Sequence, residues 1–183
     1  QTVARRSTRT LEFIKDMGGA YIEMHVTHPE RVEALVQFVA RLREAKQSGS
    51  FPADNEWATY FDSTARSYFK EWTPEEMKEW ENDWKAAPVE IRHKDMSLWP
   101  HWDFGSFLDA LKNGEFLVSG VVLSGKGAKL QFEPLAHPYG GPDCLVAIVE
   151  AFGQEPVGYD DGAGYQKYEK QPRWLTRSKH RAI

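Results

Sequence analysis

Cysteine is all but missing from this chain: Cys144 is the sole example in 183 residues, so no intramolecular disulfide can form. That removes the disulfide-scaffold class and favours a reducing compartment. The expected location is therefore cytoplasmic, although periplasmic proteins also manage without disulfides. Long apolar runs are missing as well. The longest spans residues 145–152, far short of the roughly 20 residues a membrane helix needs, so no membrane partner is expected. A large excess of one charge is absent too. The net charge of −4 gives no reason to expect nucleic acid as the main partner and is compatible with a basic protein partner. The basic ends at residues 5–9 and 167–181 support a nucleic-acid accessory only as a weaker reading. Gln1 rather than Met stands first. The expectation is that something lay upstream, a cleaved signal peptide being one of the open alternatives.

The motifs of common chemistries are missing in turn. Zinc needs three or four convergent ligands. His25 and His28 sit on a strand and a helix start, while His93, His101 and Asp103 flank a Trp-Pro loop without a further spaced ligand. Cys144 lies in a helix first turn beside Leu145 and Val146, which points to burial rather than nucleophilicity. Gly125-Lys126-Gly127 joins two strands, and Gly140-Gly141 lacks the lysine of a phosphate loop. Gly120 is followed by Val121, Val122, Leu123 and Ser124, not by a serine-hydrolase elbow. No catalytic residue, metal or cofactor is expected.

What is present is a single domain, residues 1–183, of ordinary globular composition, with 41% hydrophobic and 27% charged residues and no internal repeat. Residues 1–10 read as a flexible basic arm, and residues 11–17 as a short helix. Residues 21–26 alternate, with Ile22, Met24 and Val26 on one face, as in a half-buried strand. Thr27-His28-Pro29-Glu30 has the form of a capping box ahead of a helix carrying Val32, Leu35, Val36, Val39 and Leu42. Asp103 caps a second helix, with Phe104, Phe107, Leu108 and Leu111, closed by Asn113-Gly114. Residues 115–124 and 128–133 read as a hairpin pair. A last helix follows Pro142, then a final strand at residues 155–160. Residues 169–183 form an irregular basic tail.

Residues 51–100 change character and read as a helical insertion. Six of the seven tryptophans fall at Trp57, Trp72, Trp80, Trp84, Trp99 and Trp102. Aromatic residues between Trp57 and Trp72 recur at three- and four-residue steps, and Thr73-Pro74-Glu75-Glu76 is a second capping box. The expectation is an aromatic-rich helical hairpin. With the insertion set aside, the order strand-helix-strand-strand-helix-strand predicts an α+β fold with a ferredoxin-like split βαβ sheet, four strands wide.

The expected function is a small, non-catalytic protein-interaction protein, for which a bacterial toxin-neutralising immunity protein is the best-fitting role. Tryptophan and tyrosine bury much area at little entropy cost and are enriched at interface hot spots. Candidate partner or ligand contacts are Trp80, Trp84, Trp99, Trp102, Tyr139 and Tyr159, with Asp160 and Asp161 on a Gly-flanked loop. Adjacent acids there can receive a partner's lysine or hold a cation, though Asp and Gly are also what turns use. The alternative is a small-molecule-binding domain or enzyme with its pocket between the sheet and the inserted helices, where His25, His101, Tyr139 and Asp160 would be polar contacts.

Overall fold

β1 (Ala20–His25) alternates as its sequence predicts, burying Ala20, Ile22 and Met24. The computed structural model describes residues 19–92, 94–136, 142–170 and 172–174. The expected arm at 1–10, the helix at 11–17, His93, Tyr139, Gly140-Gly141 and the tail beyond 174 lie outside the described residues.

A 3-10 turn at Pro29–Arg31 leads into α1 (Val32–Ser48), which ends at Gly49. The capping box expected at Thr27 does not form. The Thr27 hydroxyl donates instead to the Gly153 carbonyl at 2.6 Å, and Glu30 turns to His28 Nδ1 at 3.0 Å. Gln154, only 3% exposed, supplies what the box would have supplied. Its Oε1 accepts the amides of Thr27 and His28 at 3.0 and 3.2 Å. Its Nε2 donates to the carbonyls of His28 and Phe152, both at 3.0 Å. One carboxamide offers both an acceptor and two donors, so it satisfies groups that a local hydroxyl would leave unpaired. Gly153 permits the close approach: its φ is +74°, and a Cβ there would come within 3.0 Å of the His28 ring.

The inserted segment is not a hairpin of two helices. It runs through α2 (Asp54–Trp57), a 3-10 turn (Ala58–Tyr60), α3 (Ser63–Arg66), α4 (Pro74–Ala86), α5 (Val89–Arg92) and a second 3-10 turn (Met96–Leu98). The aromatic periodicity of residues 57–72 is real, but Phe61 and Asp62 adopt extended backbone. The Asp62 side chain there accepts the Ala65 amide and starts a new turn. Local Asp-to-backbone bonds of this kind compete with a continuous helix. The capping box at Thr73 does form, with Glu76 reciprocating.

α6 (Phe104–Asn113) is capped by Asp103 as expected. β2 (Phe116–Ser124) and β3 (Gly127–Pro134) pair through the two-residue loop Gly125-Lys126. Their register slips at Ser119, whose carbonyl is taken by Arg43 Nη1 of α1 at 3.1 Å. Then come α7 (Asp143–Ala151), β4 (Glu155–Asp160) and β5 (Tyr165–Lys167).

The result is a mixed helix-and-sheet fold with one antiparallel sheet ordered β2-β3-β1-β4-β5. It has five strands where four were expected, and its order differs from that description accordingly. The added strand has a local cause. The loop at 161–164 reverses the chain, and the Tyr165 ring lies over Gly158, in the space a side chain would fill. Its phenol reaches Glu23 Oε2 on β1 at 3.0 Å. α1 packs on β2, and α7 on β4 and β1. Both helices share one core with Ile22, Met24, Val118, Leu130 and Phe132.

Gln154→Leu removes four hydrogen bonds from the junction of β1, α1 and α7. A loss of about 2–3 kcal/mol is expected, read as a lower urea midpoint at unchanged slope. A loss under about 0.5 kcal/mol would contradict this role for the carboxamide.

Candidate functional site

The residues singled out in the sequence do not converge. Trp80, Trp84 and Trp99 form a satellite cluster, with ring centroids 5.9 Å apart for the first pair and 6.0 Å for Trp84 and Trp99. Two of the indole N–H groups serve the backbone: Trp80 donates to the Leu98 carbonyl at 2.8 Å and Trp99 to that of Arg92 at 3.0 Å. Trp57 belongs to the main core instead, at 3% exposure. Tyr159 lies on β4, its phenol donating to Gln166 of β5 at 3.0 Å. Asp160 Oδ1 accepts the amides of Gly162 and Gly164, and Asp161 Oδ1 that of Ala163. Both acids are thus engaged in the β4–β5 turn. Cys144 is buried, which pushes its thiol up to about 12.

Of these residues, His101 and Trp102 line a cleft. The cleft, of about 390 Å³, lies between α7, Tyr68 of the inserted segment, His101 and Trp102, and the residues Tyr168, Lys170, Pro172 and Arg173. A second, of about 430 Å³, shares Tyr68, Glu150, Tyr168 and Lys170 with it.

Glu150 stands at the centre. It sits in the last turn of α7, a helix otherwise buried along most of its length, and its side chain is 13% exposed. Oε2 accepts the Tyr68 phenol at 2.9 Å. Oε1 accepts the Tyr168 phenol at 3.3 Å and meets Lys170 Nζ at 3.1 Å. Toward the start of α7, Arg173 Nη2 reaches both oxygens of Asp143 at 2.7 Å, and its guanidinium lies 5.3 Å from the Trp102 ring centroid. The Tyr68 ring meets His101 edge-on at 5.0 Å.

Burial, followed by the negative charge of Glu150, raises both Tyr68 and Tyr168 well above the ordinary phenol value. Both therefore remain neutral donors. Burial lowers His101, partly offset by its bond to the Trp102 carbonyl. The imidazole is thus uncharged near neutral pH. The cleft holds two carboxylates, two cations, two neutral phenols and an indole. Such a set suits recognition of a charged group. Among the described residues, no group of three or more His, Cys, Asp or Glu side chains is placed to hold a metal ion.

Sequence reasoning passed over Tyr68, Asp143, Glu150, Tyr168, Lys170 and Arg173. One signal was available. Glu150 is the only charged residue in the apolar run at 145–152, and a lone acid there must find donors or leave the core. Its partners, 82 residues before and 18 to 20 after, are fixed by the tertiary fold.

The chain matches no protein-family model, no curated protein and no solved structure.

The raised phenols have a stability consequence. Below the ordinary value of 10.0, Tyr68 and Tyr168 are protonated both folded and unfolded, so their contribution is fully present. Above it the unfolded chain releases these protons first, and stability falls as pH rises. Urea unfolding across an alkaline pH series should show this fall, and it should be shallower in the Tyr68→Phe/Tyr168→Phe double variant. Equal slopes would contradict the assignment.

Proposed function

We propose that this protein is a non-catalytic interaction module that docks a basic protein partner through the arm built from α4 and α5. The observation that carries this reading is the character of that arm. No residue of either helix is buried, yet the arm carries Trp80 and Trp84 and leaves Val89 and Ile91 at 63% and 42% exposure. Residues 71–95 contain eight Asp and Glu against four Lys and Arg, an excess equal to the net charge of the whole chain. Exposed apolar side chains among an excess of negative charge favour a partner of opposite sign, with charge steering the encounter and apolar contact holding it.

A bacterial toxin-neutralising immunity protein, acting in the cytoplasm, is the role that suits this character best. A toxin that binds nucleic acid carries basic surface, and an acidic arm would cover it. We read the scaffold under the arm as a ferredoxin-like core, β2-β3-β1-β4 with α1 and α7, to which β5 and the inserted segment are additions. No helix among the described residues is long and apolar enough to cross a membrane.

The test places a photo-cross-linking residue at Ile91 of the full chain and irradiates it in lysate of the source cells. The expected result is one stoichiometric adduct whose cross-linked peptide is basic. Its yield should fall roughly tenfold in the Glu75→Lys/Glu90→Lys variant, and with salt raised from about 0.1 to 1 M. Absence of an adduct, or one indifferent to both changes, overturns the reading.

A further inference from the structure

We propose that the cleft beside α7 is a recognition site for an alkylammonium group, with Glu150 as its acceptor and Lys170 as the chain's own stand-in for the ligand. This site is separate from the acidic arm, and its existence does not depend on what the arm binds.

The first argument is the asymmetry of the Glu150–Lys170 pair. The Glu150 side chain is 13% exposed and that of Lys170 is 74% exposed. The lopsided pairs Arg31–Asp62 and Arg173–Asp143 run the other way, with the cation sheltered and the carboxylate open. Lys170 therefore reaches a sheltered carboxylate with its ammonium while its methylene stem lies in solvent. An exposed lysine gives up rotamer freedom to hold such a pair, and surface ion pairs contribute little net stability. The lysine is the easily replaced member and the carboxylate the fixed one.

The second argument is how the carboxylate is held. The Tyr68 and Tyr168 phenols donate to different oxygens of Glu150, which fixes its plane while Oε1 still faces a cation. The two phenols cannot discharge the carboxylate by giving up their protons, since both are raised above the ordinary phenol value. The Arg173 guanidinium, held between Asp143 and the Trp102 ring, shows the same cleft accommodating a positive group by acid and aromatic together.

The third argument is space. Lys170 lines both the 390 Å³ and the 430 Å³ clefts, so open volume adjoins it in each. Swinging its unpacked stem outward leaves Glu150 facing room for an alkyl chain.

Two sources share this chemistry, a free primary amine and the lysine side chain of a peptide. The experiment uses the full chain and its Lys170→Ala variant, with pentylamine, pentanol and an N-acetylated, C-amidated Gly-Lys-Gly peptide as probes. Binding is read from backbone amide NMR shifts at Glu150 and Tyr168. Removal of the competing ammonium should tighten pentylamine or the peptide by about tenfold relative to the unaltered chain, while pentanol shifts nothing up to roughly 10 mM. Binding by pentylamine alone identifies a small amine as the ligand class, and binding by the peptide identifies a lysine side chain. Adding Glu150→Gln to Lys170→Ala should abolish either. The proposal is overturned if neither amine binds the Lys170→Ala variant, if pentanol binds as well as pentylamine, or if affinity is unchanged by removing Lys170. The pentanol comparison retains its force even if the Glu150→Gln chain fails to fold.

Discussion

The helices and the inserted segment of this fold meet at the ring of Phe38. It projects from α1 and is fully buried. It contacts Trp57 and Tyr60 at 5.4 and 5.9 Å, Phe61 at 5.1 Å, Phe107 at 6.4 Å and Phe152 at 5.7 Å. Those rings come from α1, the inserted segment, α6 and the residue that ends α7. Phe61 extends the network to Phe69 at 5.6 Å and Phe104 at 5.4 Å. Rings at these separations, many of them edge-to-face, add specific geometry to large buried area. The network thus fixes how the insertion sits on the sheet. It also reaches the candidate site directly, because burial of Phe69 carries its neighbour Tyr68 to the lip of α7, over Glu150.

The aromatic residues of the insertion divide into two populations with different physics. Trp57, Phe61 and Phe69 are core, continuous with the inner face of the sheet. Trp72, Trp80, Trp84 and Trp99 stand apart and are gathered by hydrogen bonds as much as by burial. Trp72 donates to the His101 carbonyl at 3.1 Å, and Trp174 docks from the chain's other end. The Trp174 indole donates to Asp83 on α4, its amide pairs with the Trp99 carbonyl, and its ring lies 5.6 Å from that of Trp72. Arg92 closes the C-terminal end of α4 by donating to the carbonyls of Ala87 and Lys85. Each such bond contributes on the order of 1 kcal/mol, enough to place the arm but not to merge it with the core. A unit held in this way keeps its acidic and apolar residues available at the surface, which is what a docking function needs.

The sequence made legible those elements whose signals are local. The alternation of residues 21–26 and the caps at Thr73 and Asp103 appear where local chemistry places them. The stripe read on α1 holds in part: Leu35, Val39 and Leu42 are buried, Val32 and Val36 are half-buried, and Phe38 and Ala45 take the remaining core positions. Long-range competition accounts for the misses. Thr27 has every local mark of a helix cap, yet Gln154, 127 residues away, takes its place. Residues 57–72 have helical spacing, yet Asp62 breaks the helix, and the rings find partners through tertiary packing rather than along one helix face. β5 rests on a three-residue pairing and on Tyr165 lying over Gly158, too short a stretch to carry a periodic signal. The Glu150 cleft stayed hidden because its members come from three distant stretches, and only the isolated acid on an apolar helix marked it.

The central claim is that the aromatic segment is split between a main core organised by Phe38 and an arm fastened on separately by tryptophan hydrogen bonds. Native-state hydrogen exchange under increasing denaturant measures this division directly. The account predicts that the amides of α4 open together at a free energy at least about 2 kcal/mol below that of β1, α1 and α7. Equal protection of α4 and α1, merging in one global unfolding step, would contradict it.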